Sequence, residues 1–118
     1  MSIRRIVPNL HTSGMDESRE FYSGFLGLQI EMDMDWIITF VSDRNPTAQL
    51  SVITADLTAP VPPDITIEVD NIDELYAKAM QRGFTIVYHL TEEPWGVRRF
   101  FVREPNGSVI NLMMHVQK

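Results

Sequence analysis

The chain has 118 residues, of which 44% are hydrophobic, and its 16 acidic residues outnumber the 10 basic ones to give a formal charge of −6. A chain of this length buries about two-thirds of the surface that its unfolded form exposes, so we expect one domain with its own core. The absence of cysteine excludes thiolate catalysis, CxxC redox motifs and iron–sulfur clusters.

The composition also bears on partners and location. The basic residues are scattered, which argues against a nucleic-acid partner because phosphate neutralisation needs clustered cations. No apolar run approaches the ~20 residues of a membrane span, so no membrane partner is expected. The opening segment MSIRRIVPNL lacks the long apolar stretch of a signal peptide, and we therefore expect a cytoplasmic protein.

The first half of the chain predicts a strand, a helix and three further strands. Residues 3–12 alternate loosely between apolar and polar side chains, as in a strand. Ser13 and Asp16 have the spacing of a helix N-terminal cap, and apolar residues then recur at helical spacing as far as Gly27. This pattern predicts a helix over 14–26. Three strands are predicted after it, at 28–33, 36–42 and 48–54.

Residues 55–63 contain three prolines, which cannot sustain a strand ladder and predict a stiff, extended linker. The linker joins a first module, 1–54, to a second module, 64–118. The second module is predicted to hold a strand at 65–70, a helix at 72–82 capped by Asn71 and ended by Gly83, and strands at 84–90, 97–104 and 108–115.

Both modules therefore have the element order β-α-β-β-β, and Gly27–Ile30 aligns with Gly83–Ile86. Four strands with one covering helix leave the other sheet face open, and two such faces in one molecule must pack together or curve around a cavity. We predict an α+β fold in which two β-α-β-β-β modules of a single domain form curved mixed sheets around a cavity.

Two motifs resemble those of a known family. The first is Ser18-x-x-Phe21-Tyr22-x-x-x-Leu26-Gly27-Leu28, and the second is Trp95-Gly96 followed by Phe101-Val102-x-Glu104-Pro105-Asn106-Gly107. At this separation they are similar to the vicinal oxygen chelate superfamily, which holds glyoxalase I, the extradiol dioxygenases, and the bleomycin- and fosfomycin-resistance proteins. The resemblance implies the same paired-module architecture and usually a homodimer. The pattern is nearest to the metal-free bleomycin-resistance branch.

The metal-dependent members of that family bind a divalent ion through histidine and glutamate side chains on four strands. The resemblance places those positions at Val7, Ser51, Asp64 and Asn111. Valine cannot bind a metal, and serine and asparagine are weak neutral ligands where nickel, zinc or iron require imidazole with carboxylate. We therefore expect no metal and no other cofactor.

A displaced metal site is the alternative. Strand alternation puts His11 on the same face as Val7. It also puts His115 on the same face as Asn111, and Asp64 would complete the ligand set. A shift of four residues moves a ligand about 13 Å along a strand, so a divalent metal stays the less favoured expectation.

A cavity without a metal would recognise its ligand through the side chains of the same strand faces. Apolar surface would accept a ring or an alkyl group, and polar groups would orient it, as is usual in small-molecule sites. Carboxylates among them favour a cationic or amine-bearing ligand. The expected lining residues are Asn9, Ser51, Asp64, Glu68, Asn111 and Met113.

Two tryptophans are predicted to border the cavity. Trp36 ends the segment Asp33-Met34-Asp35-Trp36, and Trp95 lies in a Trp-Gly loop before the seventh strand. Bleomycin-resistance proteins have a similar D-x-x-W segment and a similar loop beside the antibiotic groove, so the resemblance implies that both indoles contact the ligand. Packing in the core or at a dimer contact is the alternative. By alternation, at least one of Arg98, Arg99 and Arg103 should face the same cavity.

Three functions are compatible with this sequence. The first is a homodimeric binding protein that sequesters an aromatic or amine-bearing small molecule without a metal. The second is an enzyme of the lactoylglutathione-lyase or dioxygenase type with an atypical metal site. The third is an accessory or regulatory domain without catalysis. The residue types at Val7 and Asn111 favour the first function.

Overall fold

The computed structural model describes residues 2–116. Contacts between these residues divide them into two compact units. The first unit is Val7–Pro62, and the second unit combines residues 2–6 with 63–116. Strand β1, Ile3–His11, runs through the boundary, so its residues before Val7 belong to the second unit.

The first unit contains the predicted strands in a single ladder. Its strand order is β2-β3-β4-β1, with a parallel pair between β1 and β4 and antiparallel pairs elsewhere. Each strand begins and ends within one residue of its prediction, because the β-branched and alternating runs are long and clear. The remaining strands of this unit are β2 (Gln29–Asp33), β3 (Ile37–Val41) and β4 (Gln49–Ile53).

The helix predicted over 14–26 is present but changes form along its length. Helix α1 spans Met15–Arg19 and continues as a π-helical segment, Glu20–Phe25. The wider turn is visible where the Leu26 amide donates to the Phe21 carbonyl five residues earlier, at 3.0 Å. Hydrophobic spacing reported the span correctly, but it does not distinguish these two helical forms.

The predicted cap at Ser13 is wrong. The N-cap residue is Gly14, and no side chain bonds the first turn as a cap. Thr12 takes the local role instead, since its Oγ1 accepts the Gly14 amide at 3.0 Å and the Ser18 hydroxyl at 3.2 Å. The hydroxyl of Thr12, one residue before the predicted cap, therefore holds the chain in place at the start of the helix.

The core of the first unit lies between the helix and one face of the sheet. Ile38, Phe40 and Val52 are buried there. Tyr22 packs its ring 5.3 Å from that of Phe40, which anchors the π-helical segment on the sheet. Alternation then directs Thr39 to the opposite face of the same sheet.

The second unit repeats the element order around a second ladder. The strand order is β5-β8-β7-β6, with β5 and β8 parallel and the other pairs antiparallel. Strand β6 begins two residues after its predicted start, and it extends three residues beyond its predicted end because polar side chains there still pair with β7. The elements are β5 (Ile65–Val69), α2 (Ile72–Gln81), β6 (Ile86–Glu93), β7 (Val97–Arg103) and β8 (Val109–His115).

Helix α2 begins at the predicted residue and ends at Gln81, one residue before its predicted end. Asn71 is the N-cap residue, although its side chain donates to Glu74 Oε2 at 2.9 Å rather than capping the first turn. At the other end Gly83 has φ +70°, and the Phe84 amide reaches back to the Ala79 carbonyl at 3.1 Å. This is a Schellman ending, which glycine favours because it has no Cβ.

The core of the second unit forms where α2 covers the sheet. Val69, Ile72, Ala79 and Phe100 are its buried members. The ring of Tyr76 meets that of Phe100 edge to face at 5.0 Å. Because α2 protects this face, the side chains that alternate with Phe100 along β7 point to the other face, where the candidate site lies.

Candidate functional site

The face of the second unit's sheet opposite helix α2 carries buried polar side chains, among them Arg99 and Asn111. We call it the polar face. Strand register aligns Asn111 with Thr66 on β5 and with Phe101 on β7. The next aligned set is Glu68, Met113 and Arg99. The residues that define the polar face are Thr66, Glu68, Arg99, Asn111 and Met113.

Among the described residues of the polar face, Asn111 has the one buried side-chain acceptor without a hydrogen-bond partner, its Oδ1. The residue is only 6% exposed. Its Nδ2 donates to Thr66 Oγ1 at 3.2 Å, whereas its Oδ1 accepts no hydrogen bond from the described residues. Buried carbonyl groups are nearly always bonded, so this oxygen is a position where a donor from a ligand or from water would be favourable.

Glu68 is already neutralised by two neighbours. Arg5 Nε donates to its Oε1 at 2.6 Å, and His115 Nδ1 lies 3.0 Å from its Oε2. Burial alone would raise the pKa of Glu68, but the hydrogen bonds from His115 and Arg5 outweigh burial and hold that pKa below its usual value. The carboxylate therefore stays charged and paired, so it is less available to a cationic ligand than the sequence suggested.

A buried ion pair crosses from β6 to β7. Arg99 Nε donates to Glu93 Oε2 at 2.8 Å, and both side chains are almost completely buried. The Tyr88 hydroxyl donates to the same carboxylate oxygen at 3.0 Å. Arg99 is thus the arginine that faces inward, as alternation predicted, whereas Arg98 pairs with the exposed Asp73 at 2.6 Å.

Three aromatic rings surround the Arg99 guanidinium. Its carbon lies 4.8 Å from the ring centre of Phe101, 5.2 Å from that of Trp95 and 5.4 Å from that of Tyr88. A guanidinium prefers such faces because the π electrons attract its charge. Trp95 therefore presents one side of its indole to Arg99.

Trp95 occupies a tight hairpin. The Gly96 amide donates to the Glu93 carbonyl at 3.1 Å, and Gly96 has φ +93°, a value that other residues rarely adopt. The turn holds the half-buried indole beside the Glu93–Arg99 pair. Trp95 is thus placed next to the polar face, and whether it contacts a ligand stays a prediction.

Asp64 and His115 do not form the displaced metal site. Asp64 precedes β5 and accepts the Val109 amide on Oδ2 at 2.8 Å, at the start of β8. His115 is the last residue of β8, six residues further, or roughly 20 Å at the usual rise. Across residues 2–116, no three histidine, aspartate or glutamate side chains gather into a group able to hold a metal ion.

The first unit has its own row of buried polar side chains. Asn9 on β1 aligns with Ser51 on β4, and Ser51 aligns with Thr39 on β3. Each of the three is 5% exposed or less. The Thr39 and Ser51 hydroxyls lie 2.7 Å apart. The predicted lining residues Asn9 and Ser51 are therefore buried on one sheet face, and His11 is exposed at the end of β1.

Trp36 follows a constrained turn between β2 and β3. Asp35 has φ +70°, and its amide donates to Asp33 Oδ1 at 3.0 Å. Asp33 also accepts from Arg19 at 2.6 Å, and this hydrogen bond holds the pKa of Asp33 below its usual value. The turn leaves Trp36 half-buried, so its ligand contact stays a prediction.

A cavity of about 440 Å³ lies elsewhere in the second unit, between Phe84 and the β7–β8 hairpin. Its charged lining groups are already bonded within that hairpin. Arg103 donates to the Gly107 carbonyl at 2.8 Å, and Glu104 Oε1 accepts the Asn106 and Ser108 amides. Glu68 and Arg99 of the polar face are paired in the same way, but among the described residues this cavity lacks a buried, unpartnered side-chain acceptor such as Asn111 Oδ1.

Sequence reasoning missed several residues of these faces. Neither Glu93 nor Tyr88 was singled out, and Arg99 was not distinguished from its neighbours. The signal that was present is alternation: Arg99 lies two residues from Val97 and from Phe101 on β7, which makes it part of a buried face. Its partner Glu93 could not be found in the same way, because bulges interrupt the β6–β7 register.

A family comparison agrees with this architecture. The model of the glyoxalase/bleomycin resistance protein/dioxygenase superfamily matches residues 3–112. The chain belongs to this superfamily. The expected family and the α+β fold of paired β-α-β-β-β modules are thereby confirmed. No curated protein matches the sequence.

Solved structures support the fold. A superfamily member from Vibrio splendidus 12B01 is 18% identical, with 96% of this chain and 99% of that one covered and a TM-score of 0.74. An extradiol ring-cleaving dioxygenase from B. fuscum is 17% identical over 98% of this chain and 34% of that chain, with a TM-score of 0.72. An Mn(II)-bound glyoxalase from Novosphingobium aromaticivorans is 15% identical over 98% of this chain and 38% of that chain, with a TM-score of 0.65.

At the four positions where the resemblance places the ligands of the superfamily's metal-dependent members, this chain has Val7, Ser51, Asp64 and Asn111, a set whose chemistry does not suit a divalent transition metal. Val7 has no donor atom, and Ser51 and Asn111 are neutral. The carboxylate of Asp64 is exposed at a strand end and bonded to a backbone amide.

None of the helices in the described part of the chain has both the length and the apolar character of a membrane span.

Proposed function

We propose that this superfamily member binds a small compound that combines an aromatic or apolar body with a hydrogen-bond donor such as an amine or a hydroxyl. The observation that supports this proposal is the buried, unpartnered Oδ1 of Asn111. Phe101 aligns with Asn111, and Met113 follows on the same face. Phe101 and Met113 are 0% and 5% exposed, so this enclosed position combines apolar walls with one directional polar contact, which is the usual composition of a small-molecule site.

The proposed contact for an amine is the Asn111 amide oxygen and not a carboxylate. Glu68 is already bonded to Arg5 and His115, and one oxygen of Asp64 accepts a backbone amide. A neutral acceptor selects for a donor hydrogen and not for charge. Amines and neutral hydroxyl compounds are therefore both candidate ligands.

The proposed activity is binding or sequestration without a metal ion or another cofactor. The donor set at the family's metal positions supports it, since nickel, zinc and iron prefer imidazole and carboxylate ligands. Elemental analysis of protein purified without added metal tests this part. A stoichiometric transition metal would favour an enzyme of the glyoxalase or dioxygenase type instead.

We also propose a homodimer that works in the cytoplasm. Ile6 and Leu10, two residues of one face of β1, are 56% and 43% exposed, and apolar exposure of this kind is typical of contact surfaces. Sedimentation at micromolar concentration tests the dimer, and a monomer would contradict it.

Ligand binding can be tested with two compounds that differ only in the donor. We suggest 4-methylphenol and p-xylene, with binding followed by calorimetry and by indole fluorescence in a Trp36→Phe background, where Trp95 alone reports. Wild type should bind the phenol about tenfold more tightly, because one buried hydrogen bond contributes about 1.4 kcal/mol. Asn111→Leu should remove that preference and leave p-xylene binding unchanged.

The matched control is Asn106→Leu, which changes an exposed asparagine of the β7–β8 hairpin in the same unit. It should retain the preference for the phenol. Failure of both compounds to bind at millimolar concentration would contradict the small-molecule proposal and favour an accessory domain. Equal preference in wild type and Asn111→Leu would contradict the role of Asn111.

A further inference from the structure

The two units differ sharply in charge. Val7–Pro62 contains eight acidic residues and two basic ones, whereas the rest of the chain contains eight of each. The whole formal charge of −6 therefore belongs to the first unit. A partner that recognises this unit by charge would have to be basic.

The first unit also exposes a group of large apolar side chains on its helical segment. Phe21, Phe25 and Leu26 are 51%, 74% and 54% exposed, and we call them the aromatic patch. The rings of Phe21 and Phe25 lie 5.4 Å apart, so they form one continuous surface. Tyr22, one residue from Phe21, points inward to the core, so exposure of the patch does not result from a detached helix. Contiguous exposed apolar surface is typical of interaction sites.

Acidic side chains border the aromatic patch. The Glu20 carboxylate lies against Gly24, since a Cβ at Gly24 would be 2.8 Å from its Oε2. Within residues 2–116 neither Glu17 nor Glu20 forms an ion pair. Arg19, the one basic residue on this helical segment, is engaged by Asp33 at 2.6 Å. The patch therefore combines an apolar centre with an unneutralised acidic border.

We propose that the aromatic patch is a docking surface for a basic amphipathic helix of another protein. Leucine or phenylalanine side chains of that helix would cover Phe21 and Phe25, and its lysines or arginines would meet Glu17 and Glu20. A second copy of this chain is a poorer occupant, because a two-fold contact would bring the same carboxylates together. An anionic membrane surface is poorer for the same electrostatic reason.

The second unit provides a matched control surface. Met80 and Phe84 are each 50% exposed there, close to the exposure of Phe21, but that unit has no net charge. Apolar exposure alone would make both surfaces bind. Recognition by charge together with apolar contact would make only the aromatic patch bind.

The experiment uses a labelled sixteen-residue amphipathic helix of leucine and lysine, with binding to the full chain followed by fluorescence anisotropy. Two further peptides have the same composition in scrambled, non-amphipathic order, or glutamate in place of lysine. We expect the amphipathic basic peptide to bind at least tenfold more tightly than either, and its affinity to fall as salt is raised.

The variants then locate the site. Phe21→Ser/Phe25→Ser should weaken the peptide at least tenfold, Glu17→Gln/Glu20→Gln several-fold, and Met80→Ser/Phe84→Ser not measurably. Should the double phenylalanine variant unfold, Phe25→Ser alone changes the most exposed ring and should still weaken binding several-fold. Circular dichroism checks the fold of each variant.

The proposal is overturned if the phenylalanine variants bind like wild type, or if the scrambled peptide binds as well as the amphipathic one. It is also overturned if wild type is a dimer that does not bind the peptide and the phenylalanine variants are monomers. A second copy of the chain would then occupy the patch. Binding of anionic vesicles in preference to the peptide would assign the patch to a membrane.

Discussion

The two units share one element order but satisfy their buried polar groups differently. In the first unit the buried row consists of neutral groups, with the Thr39 and Ser51 hydroxyls 2.7 Å apart. In the second unit the polar face and its neighbours contain charges, with Arg99 bonded to Glu93 at 2.8 Å and one acceptor of Asn111 left over. The same element order therefore accommodates two kinds of buried polar group. Among the described residues, the buried ion pair and the unpartnered acceptor both belong to the second unit.

The largest expected effect comes from breaking the charged pair of the second unit. Arg99→Met should lower the free energy of unfolding by about 3–5 kcal/mol, because it leaves Glu93 buried without its cation. Urea denaturation measures this effect. The double variant Arg99→Met/Glu93→Leu should recover most of the loss. A single variant as stable as wild type would show that the pair is not buried in solution.

The neutral pair of the first unit should respond more weakly. Ser51→Ala leaves the buried Thr39 hydroxyl without its partner and should cost about 1–2 kcal/mol of unfolding free energy. Thr39→Val/Ser51→Ala removes both hydroxyls and should be close to wild type. If the double variant lost as much as the single variants together, the two hydroxyls would act independently and the comparison between units would fail.

The unpartnered Oδ1 of Asn111 predicts that replacing this residue changes stability less than breaking either pair does. Asn111→Leu removes a buried carbonyl that accepts no bond from the described residues, but it also removes the 3.2 Å hydrogen bond from Nδ2 to Thr66, so the two effects should largely offset and change the free energy of unfolding by no more than about 1 kcal/mol. Thermal unfolding without ligand measures the change. A loss of several kcal/mol would mean that the Asn111 amide is structural, and the proposed binding role would lose its support.

The smallest effect concerns pH. The pKa of Glu68 is lowered in the folded protein, so its contribution to stability is present above the unfolded value of about 4.5 and is lost as pH falls through the lower folded value. Glu68→Gln should therefore flatten the acid side of the stability profile below about pH 4.5. Urea midpoints between pH 3 and 7 measure it. If the variant lost stability at acid pH as steeply as wild type, groups other than Glu68 would be responsible for that loss.

Most of the secondary structure could be predicted from the sequence. Apolar alternation, helical spacing and the glycines at 27 and 83 placed all ten elements, and most strand ends lie within one residue of their prediction. The β6 end was missed because Thr91 and Glu93 are polar, yet they extend β6 alongside β7. A sequence pattern predicts a strand from that strand's own side chains, whereas the residue at which the strand ends depends on how far the neighbouring strand pairs with it.

The sequence by itself determined the fold, since the repeated β-α-β-β-β order and the two motifs require only local patterns along the chain. Through the family resemblance it also predicts a poor metal site, because three of the four expected ligand positions are the neutral residues Val7, Ser51 and Asn111 and only Asp64 is charged. Only the tertiary structure decided how the polar groups combine. Residues such as Arg5 and Glu68 are 63 apart in the chain, and their pairing depends on strand neighbours that no local pattern specifies. For the same reason, only the tertiary structure shows that Asn111 keeps an acceptor without a partner.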